Sequence, residues 1–307
     1  VGFWKPHLPF NAPRRYWNLY DPAKVTLPES LARPENGPDI ALHDSRELLR
    51  AFGGREPSTR DIRELRRGYF AATTYMDSQV GRVLDELDRL DLRDSTIVVF
   101  TADHGFHLGE HSLWCKTSNY EWDAAVPLII APPRLGKRGA ASPSPVELLD
   151  LYPTLAELCG LAKPTHLEGA SLVPALKNPV FEVKPFAITQ HPRPAYYTGK
   201  EPEVMGYSLR TRHHQYTKWR NWRTGGVVAR ELYNHNQDPG ENKNIAADVI
   251  EIEEFPALAQ QYGIRTVPMA IVNEITQIAG LTSEQEFVEK VLLCGVGKGS
   301  DSAPVQA

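Results

Sequence analysis

The stretch that constrains this chain most is TIVVFTADHGFHLGEH, residues 96–111. Its first half is short, continuous and β-branched, which suits a strand buried on both faces in a sheet covered by helices. Its second half sets Asp103, His104, His107, Glu110 and His111 close behind that strand. A run of the same apolar character, VPLIIA at 126–131, follows after a polar loop. Ahead of both, Leu65, Tyr69, Ala72, Met76, Val80, Val83, Leu87 and Leu90 recur every three or four residues. That stripe predicts one amphipathic helix over about 59–90, with close packing or a slight bend at Gly81. Helix, strand, polar loop and strand in this order predict an α/β layer.

Two chemistries compete for the polar end of the stretch. HLGEH, 107–111, fits the zinc pattern H-x-x-E-H, which needs both histidines on one helical face. Gly105 and Gly109 flank and interrupt it, a strand ends just before it, and glycine costs a helix about 1 kcal/mol, so the segment reads as a loop and the protease reading is set aside. The second chemistry follows from position. Ligands in α/β sheets bind outside the carboxyl ends of the strands, where Asp103 and His104 stand and Gly105 lets the backbone turn away. A carboxylate there suits a hard divalent cation such as Ca²⁺ or Mg²⁺. Imidazole is an atypical Ca²⁺ ligand, so His104 serves either the metal or the substrate. A plainer reading is equally compatible with this stretch alone: Asp103 caps the following turn and His104 is a surface residue.

Two residues elsewhere bear on that choice. Lys116 lies in the loop between the two apolar runs and can reach the same crevice, and His7 is held between Pro6 and Pro9 in a rigid, exposed presentation. Each alone is an ordinary surface residue. With Asp103 and His104 they supply a carboxylate, two imidazoles and an ammonium, a set suited to binding and cleaving an anionic ester.

Composition narrows the rest. Of 307 residues, 41% are hydrophobic and 23% charged, as in globular proteins. The formal charge of -4 argues against nucleic acid as a partner. No apolar run is long enough to span a membrane. Cys115, Cys159 and Cys294 are far apart and form no CxxC, so neither a disulfide framework nor a zinc site is expected. The chain opens at Val1 with no initiator Met or leader and reads as the interior of a longer protein.

Further along, the first 60 residues read mostly as loop. ASPSPVELLDLYPTLAELCGL predicts a helix with a stripe through Leu148, Leu149, Tyr152, Leu155 and Leu158, stopped at Gly160. GYSLRTRHHQYTKWR alternates at period two, as in an antiparallel strand pair, and NHNQDPGENKN is a run of turn formers with a boundary near Ala246. Beyond it come a short strand VIEI, a helix ending at Gly263, a hairpin around Asn273 and a final helix capped at Thr282 and Ser283. The tail 294–307 is of small residues and is expected to be disordered.

The 69–130 segment, YFAATTYMDSQVGRVLDELDRLDLRDSTIVVFTADHGFHLGEHSLWCKTSNYEWDAAVPLII, resembles the sulfatase family of the alkaline phosphatase superfamily, and within it the iduronate-2-sulfatase-like group. VGFWKPHLPF, LLDLYPTLAELCGL, LEGASLVPAL, GYSLRTRHHQYTKWR and ELYNHNQDPGENKNIA resemble family segments in the same order, covering about 1–246. The resemblance implies an α/β fold, a partial alkaline-phosphatase-like sheet with helices on both faces over 1–180 and a smaller antiparallel subdomain over 181–246. It implies a divalent cation, usually Ca²⁺, with Asp103 and His104 among its ligands, and it places Lys116 and His7 at positions that hold the sulfate and assist the leaving group. His107, Glu110 and His111 then read as loop-shaping residues. Family members are commonly exported or lysosomal.

Sulfatases attack sulfur with a formylglycine hydrate made from a C/S-x-P-x-R motif, close behind an Asp-Asp metal pair. This chain holds neither motif, since no Cys or Ser has the required Pro and Arg and no two aspartates adjoin. The expectation is a carboxy-terminal part of a sulfatase, inactive without its amino-terminal half. Thr117, Phe106 and Trp4 stand where iduronate-type members have Tyr, Trp and His, so a sulfated carbohydrate is expected rather than iduronate itself. Residues 247–293 resemble the second half of a thioredoxin fold, with Thr266, Val267 and Pro268 matching its cis-proline loop and without its CxxC. Two further readings stay open: a phosphatase or phosphonate hydrolase of the same superfamily, and a non-catalytic sulfated-glycan-binding protein.

Overall fold

The computed structural model describes residues 1–133, 139–196 and 199–246, and the backbone of two strands at 269–272 and 276–279. The amino-terminal segment is mostly irregular, as expected, with short helices α1 (Arg14–Trp17) and α2 (Arg46–Leu49). The dominant element is α3 (Thr59–Arg89), the helix read from the apolar stripe. Ser58 caps it by accepting from the Asp61 amide while the Asp61 carboxylate accepts from the Ser58 amide, so two otherwise orphaned donors are satisfied. The helix buries Ile62, Gly68, Ala71 and Ala72; of the stripe, Ala72 is fully buried, Leu65, Tyr69, Met76, Val80 and Leu87 are half-buried, and Val83 and Leu90 stay exposed where nothing packs over the end of the helix. Tyr16 and Tyr20 reach from α1 and its continuation to Ser78 and Thr74 of α3. Gly81 differs from the expectation: nothing lies within 4 Å of where its Cβ would be, and α3 runs through it unbroken.

Strand β1 (Val98–Thr101) follows α3, then β2 (His107–Leu108), β3 (Trp114–Cys115), α4 (Glu121–Ala124) and β4 (Leu128–Ala131). β1 pairs antiparallel with β4, and β2 with β3. The expected burial of TIVVF on both faces is not met. Val98, Val99 and Phe100 are half-buried, and Ile129 on β4 is 58% exposed. The reason is topological: among the described residues β1 has β4 as its one hydrogen-bonded neighbour, so no sheet covers the pair laterally.

Helix α5 (Leu151–Leu158) also departs from its stripe. It buries Asp150, Thr154 and Ala156, while Leu148, Leu149 and Tyr152 stay exposed. Polar ties fix that orientation. The Asp150 carboxylate accepts from the Ala170 and Glu147 amides and pairs with Lys184, and Thr154 Oγ1 accepts from the Leu172 amide. Buried partnered groups outweigh an apolar stripe that has nothing to cover it. Gly160 ends the helix at φ 68°, as its position predicts. Helix α6 (Val173–Lys177) follows.

A four-stranded antiparallel sheet then runs β5 (Phe186–Arg193), β6 (Val204–Thr211), β7 (His214–Asn221) and β8 (Val227–Asn234), in that spatial order. β6 and β7 are the strand pair read from GYSLRTRHHQYTKWR. Along β7 the inward residues alternate as Gln215, Thr217 and Trp219, the period of a half-buried strand. This face meets the loop after β3 in a core of Ala41, Leu113, Tyr120, Trp219 and Tyr233, while Phe10, Leu48, Ile62, Leu108, Trp114 and Cys115 form a second core under α3. Where a hairpin is expected, β9 (Met269–Val272) pairs antiparallel with β10 (Thr276–Ala279), and the connection around Asn273 lies outside the described residues. The strand VIEI, the helix ending at Gly263 and the final helix lie outside the described residues.

Candidate functional site

Lys116 directly follows β3, between two residues whose backbones are left-handed: Cys115 at φ 73° and Thr117 at φ 102°. Non-glycine residues there store about 1–3 kcal/mol each. The surroundings hold them in place. Cys115 is fully buried and pairs with His107 across β2–β3, and Arg193 donates through Nη1 to the Thr117 carbonyl. The same guanidinium donates to the carbonyls of Ile40 and Ala41 and lies over the Trp219 ring, so Arg193, with Gln215 donating to the Asn119 carbonyl, ties the antiparallel sheet to the lysine loop.

The Lys116 ammonium donates to Glu47 Oε2 at 2.6 Å and to His7 Nε2 at 3.0 Å. His7 Nδ1 donates to the Leu8 carbonyl at 3.0 Å, which leaves Nε2 as the acceptor. Two of the three ammonium donors are therefore used, and one remains to meet an anion. Trp4 flanks the imidazole at 5.0 Å between ring centroids. Sequence reasoning placed Lys116 and His7 in one crevice, and the structure brings them into contact. It missed Glu47, which sits in SRELL on α2 and looks like any solvated helix carboxylate.

Asp103 and His104 stand just past the end of β1, as expected. The Asp103 side chain is 89% exposed, and its Oδ2 is 3.7 Å from His104 Nε2. His104 Nδ1 donates to the Gly105 carbonyl at 2.6 Å, so its Nε2 lone pair points outward beside the carboxylate. That is a donor set a divalent cation can use, although no group of three or more His, Cys, Asp or Glu residues gathers for a metal among the described residues. No hydrogen bond joins the two pairs; His104 lies against Phe106, and Phe106 against Phe10.

Gly105 acts by close approach. A Cβ there would lie 2.0 Å from the Trp122 carbonyl oxygen, because the Gly105 and Phe106 amides donate to Asp123 and Trp122 of α4. The HLGEH segment is no α-helix: His107 and Leu108 are strand, and a single 3-10 turn begins at Glu110. Glu110 pairs with Arg66 of α3 at 2.9 Å and accepts from the Leu108 amide; His107 bonds Asp123 at 2.6 Å; His111, at φ 56°, donates to the Gly240 carbonyl at 2.7 Å. The three residues shape the loop, and Asp123, itself fixed by Ser118, is the partner the sequence did not disclose. Burial holds the His111 imidazole down at about 4 and pushes the Cys115 thiol up to about 12.

The frame is α/β, and against it Lys116, His7 and Glu47 form one polar cradle. Residues 1–161 match the family described as Sulfatase, and residues 109–262 match N-sulphoglucosamine sulphohydrolase, C-terminal. The chain belongs to the sulfatase family, with the alkaline-phosphatase-like fold of its structural neighbours. It is 31% identical to iduronate 2-sulfatase of Homo sapiens over 316 residues, covering 81% of this chain and 58% of that protein. Among solved structures it is similar to a phosphonate monoester hydrolase from Silicibacter pomeroyi, at 29% identity and TM-score 0.66, covering 83% of this chain and 53% of that one. It is also similar to a 2-O GAG sulfatase, at 25% identity and TM-score 0.58, covering 78% and 50%. The chain thus spans about half the length of these three proteins.

Proposed function

We propose that this chain forms the leaving-group side of a sulfuric ester hydrolase that acts on sulfated carbohydrate. The observation that carries the reading is the Lys116–His7 contact at 3.0 Å, with a third ammonium donor left for an ester oxygen. Lys116 holds the sulfate by charge and hydrogen bond. His7, fixed through Leu8, stands where a proton can be passed to the departing sugar oxygen. Asp103 and His104 would hold a divalent cation, Ca²⁺ by family resemblance; when bound it polarises a sulfuryl oxygen. Family membership favours the sulfate ester, and the relatives and neighbours named above include sulfatases.

The chain carries no C/S-x-P-x-R motif and no Asp-Asp pair, so the nucleophile and the remaining ligands come from the amino-terminal half of a complete sulfatase. Positioning groups without a nucleophile cannot form the covalent intermediate, and this chain alone binds rather than turns over. The test is an aryl sulfate assay of the chain with Ca²⁺. No turnover is expected, and robust turnover lost in Lys116→Ala contradicts the inactivity.

A further inference from the structure

Away from the cradle, α1 and α3 border an open cavity of about 510 Å³, a size that suits small-molecule ligands. Arg15 and Tyr16 line one side, and Tyr75, Ser78, Gln79 and Arg82 line the other. The last four stand at i, i+3, i+4 and i+7, so a single face of α3 supplies them. Tyr69 of the same helix packs on Phe106, the ring beside His104, and Ser78 stands about 14 Å further along the helix axis. The cavity therefore shares no residue with the cradle around Lys116.

Hydrogen bonds fix both arginines without neutralising either. Arg15 Nη2 donates to the Tyr16 phenol at 2.6 Å, and that phenol lies 2.7 Å from Ser78 Oγ. Ser78 gives its own proton to the Tyr75 carbonyl, so the phenol is the donor to Ser78. From the other end, Arg82 Nη1 donates to Gln79 Oε1 at 3.0 Å, and Gln79 Nε2 donates to Ser78 Oγ at 2.9 Å. Two guanidiniums are thus oriented by a neutral relay that meets at Ser78, and the other donors of each fork are left for a ligand. The carboxylates that could cancel them are engaged elsewhere or stand apart. Glu86, one turn beyond Arg82, is gripped by Arg89, while Asp77 and Asp85 neither line the cavity nor pair with either arginine. The Ser78 hydrogen bond, with the charges of Arg15 and Arg82, holds the Tyr16 phenol below its usual value, so both cations are felt at one point.

We propose that the cavity between Arg15 and Arg82 is a second oxyanion site, which takes a sulfate or phosphate group. Two fixed, uncancelled forks match the paired oxygens that such a group presents. The Tyr16 and Tyr75 rings, 5.1 Å apart between centroids, offer an apolar wall to whatever bears the group, so an ester gains contact that a bare anion does not. The site stands independently of the sulfate-ester reading of Lys116.

The experiment titrates the full chain with phenyl sulfate, phenyl phosphate and inorganic sulfate, following the arginine side-chain N–H signals by NMR. The Arg15 and Arg82 signals are expected to shift with the same affinity in the wild type and in Lys116→Ala, which separates this cavity from the cradle. Arg15→Gln and Arg82→Gln each weaken binding about tenfold, the loss of a charge-assisted hydrogen bond. Arg82→Lys, which keeps the charge and loses the fork, falls between. Arg14→Gln removes a neighbouring charge outside the cavity and leaves binding unchanged. Tighter binding of the phenyl esters supports an ester as the ligand, and equal binding of inorganic sulfate supports a free anion at the same site. Four results overturn the inference: arginine signals that do not move, shifts lost in Lys116→Ala, Arg14→Gln weakening binding as much as Arg82→Gln, or unchanged affinity in the Arg15→Gln, Arg82→Gln double variant at an unchanged melting temperature.

Discussion

Glu47 Oε2 lies 2.6 Å from Lys116 Nζ, and the same ammonium is 3.0 Å from His7 Nε2, so three segments far apart in sequence converge on one nitrogen. Lys116→Met strands the half-buried Glu47 carboxylate beside an imidazole that cannot donate to it. The variant is expected to lose about 1–2 kcal/mol, below the range for a fully buried pair because both groups keep some solvent. Lys116→Met combined with Glu47→Leu recovers most of that loss, since the uncompensated charge is gone. Urea unfolding of the two variants checks the order.

Gly105→Ala sets a Cβ 2.0 Å from a backbone carbonyl that cannot swing aside. The loop behind Asp103 and His104 must shift, at a cost of about 1–3 kcal/mol for a forced overpacking. A fall in melting temperature, with weaker Ca²⁺ binding in calorimetry, is the expected pair of outcomes.

Arg66 and Glu110 form a salt bridge that leaves each side chain 12% exposed. Arg66→Ala leaves Glu110 charged and nearly dry, which costs about 3 kcal/mol. Arg66→Lys keeps the charge but not the fork, and falls between the two. Chemical denaturation of the three proteins gives the ranking.

Burial lowers His43 and His111 from 6.5 to about 4 in the fold. As pH falls from about 6.5 toward 4, the unfolded chain takes up protons at these residues and the folded chain does not. Stability is therefore full above the unfolded value and is lost on acidification, by about 1 kcal/mol per histidine near pH 5.5. The slope of unfolding free energy against pH between about 7 and 5 should be positive, and His111→Gln should reduce it.

Calcium binding is expected to be weak with two protein donors and to disappear in Asp103→Asn, whose amide keeps the shape and loses the charge. Calorimetric titration with Ca²⁺ measures it. A site that keeps its affinity in Asp103→Asn places the metal elsewhere.

What the residues announced and what they concealed follow from the range of each interaction. The span of α3, the β6–β7 alternation and the stop at Gly160 depend on neighbours within a few positions, and each appears as read. Lys116 and His7 were legible through their loops and through resemblance, but their contact spans 109 positions and only the fold makes it. Glu47, Asp123 and Arg193 carried no local mark, because a helix carboxylate, a buried aspartate and a strand arginine look alike until their partners are known. The TIVVF strand and the α5 stripe misled for one reason. An apolar pattern states what a face could bury, whereas actual burial depends on what packs over it, and Ile129 and Tyr152 remain 58% and 61% exposed.

The central claim is that Lys116 holds a sulfate ester. Titrating the full chain with a sulfated disaccharide, beside its desulfated counterpart, tests it most directly. The wild type should bind the sulfated sugar and not the other, and Lys116→Ala should weaken binding at least tenfold, the loss of a charge-assisted hydrogen bond. Equal binding of both sugars, or unchanged affinity in Lys116→Ala, would contradict it.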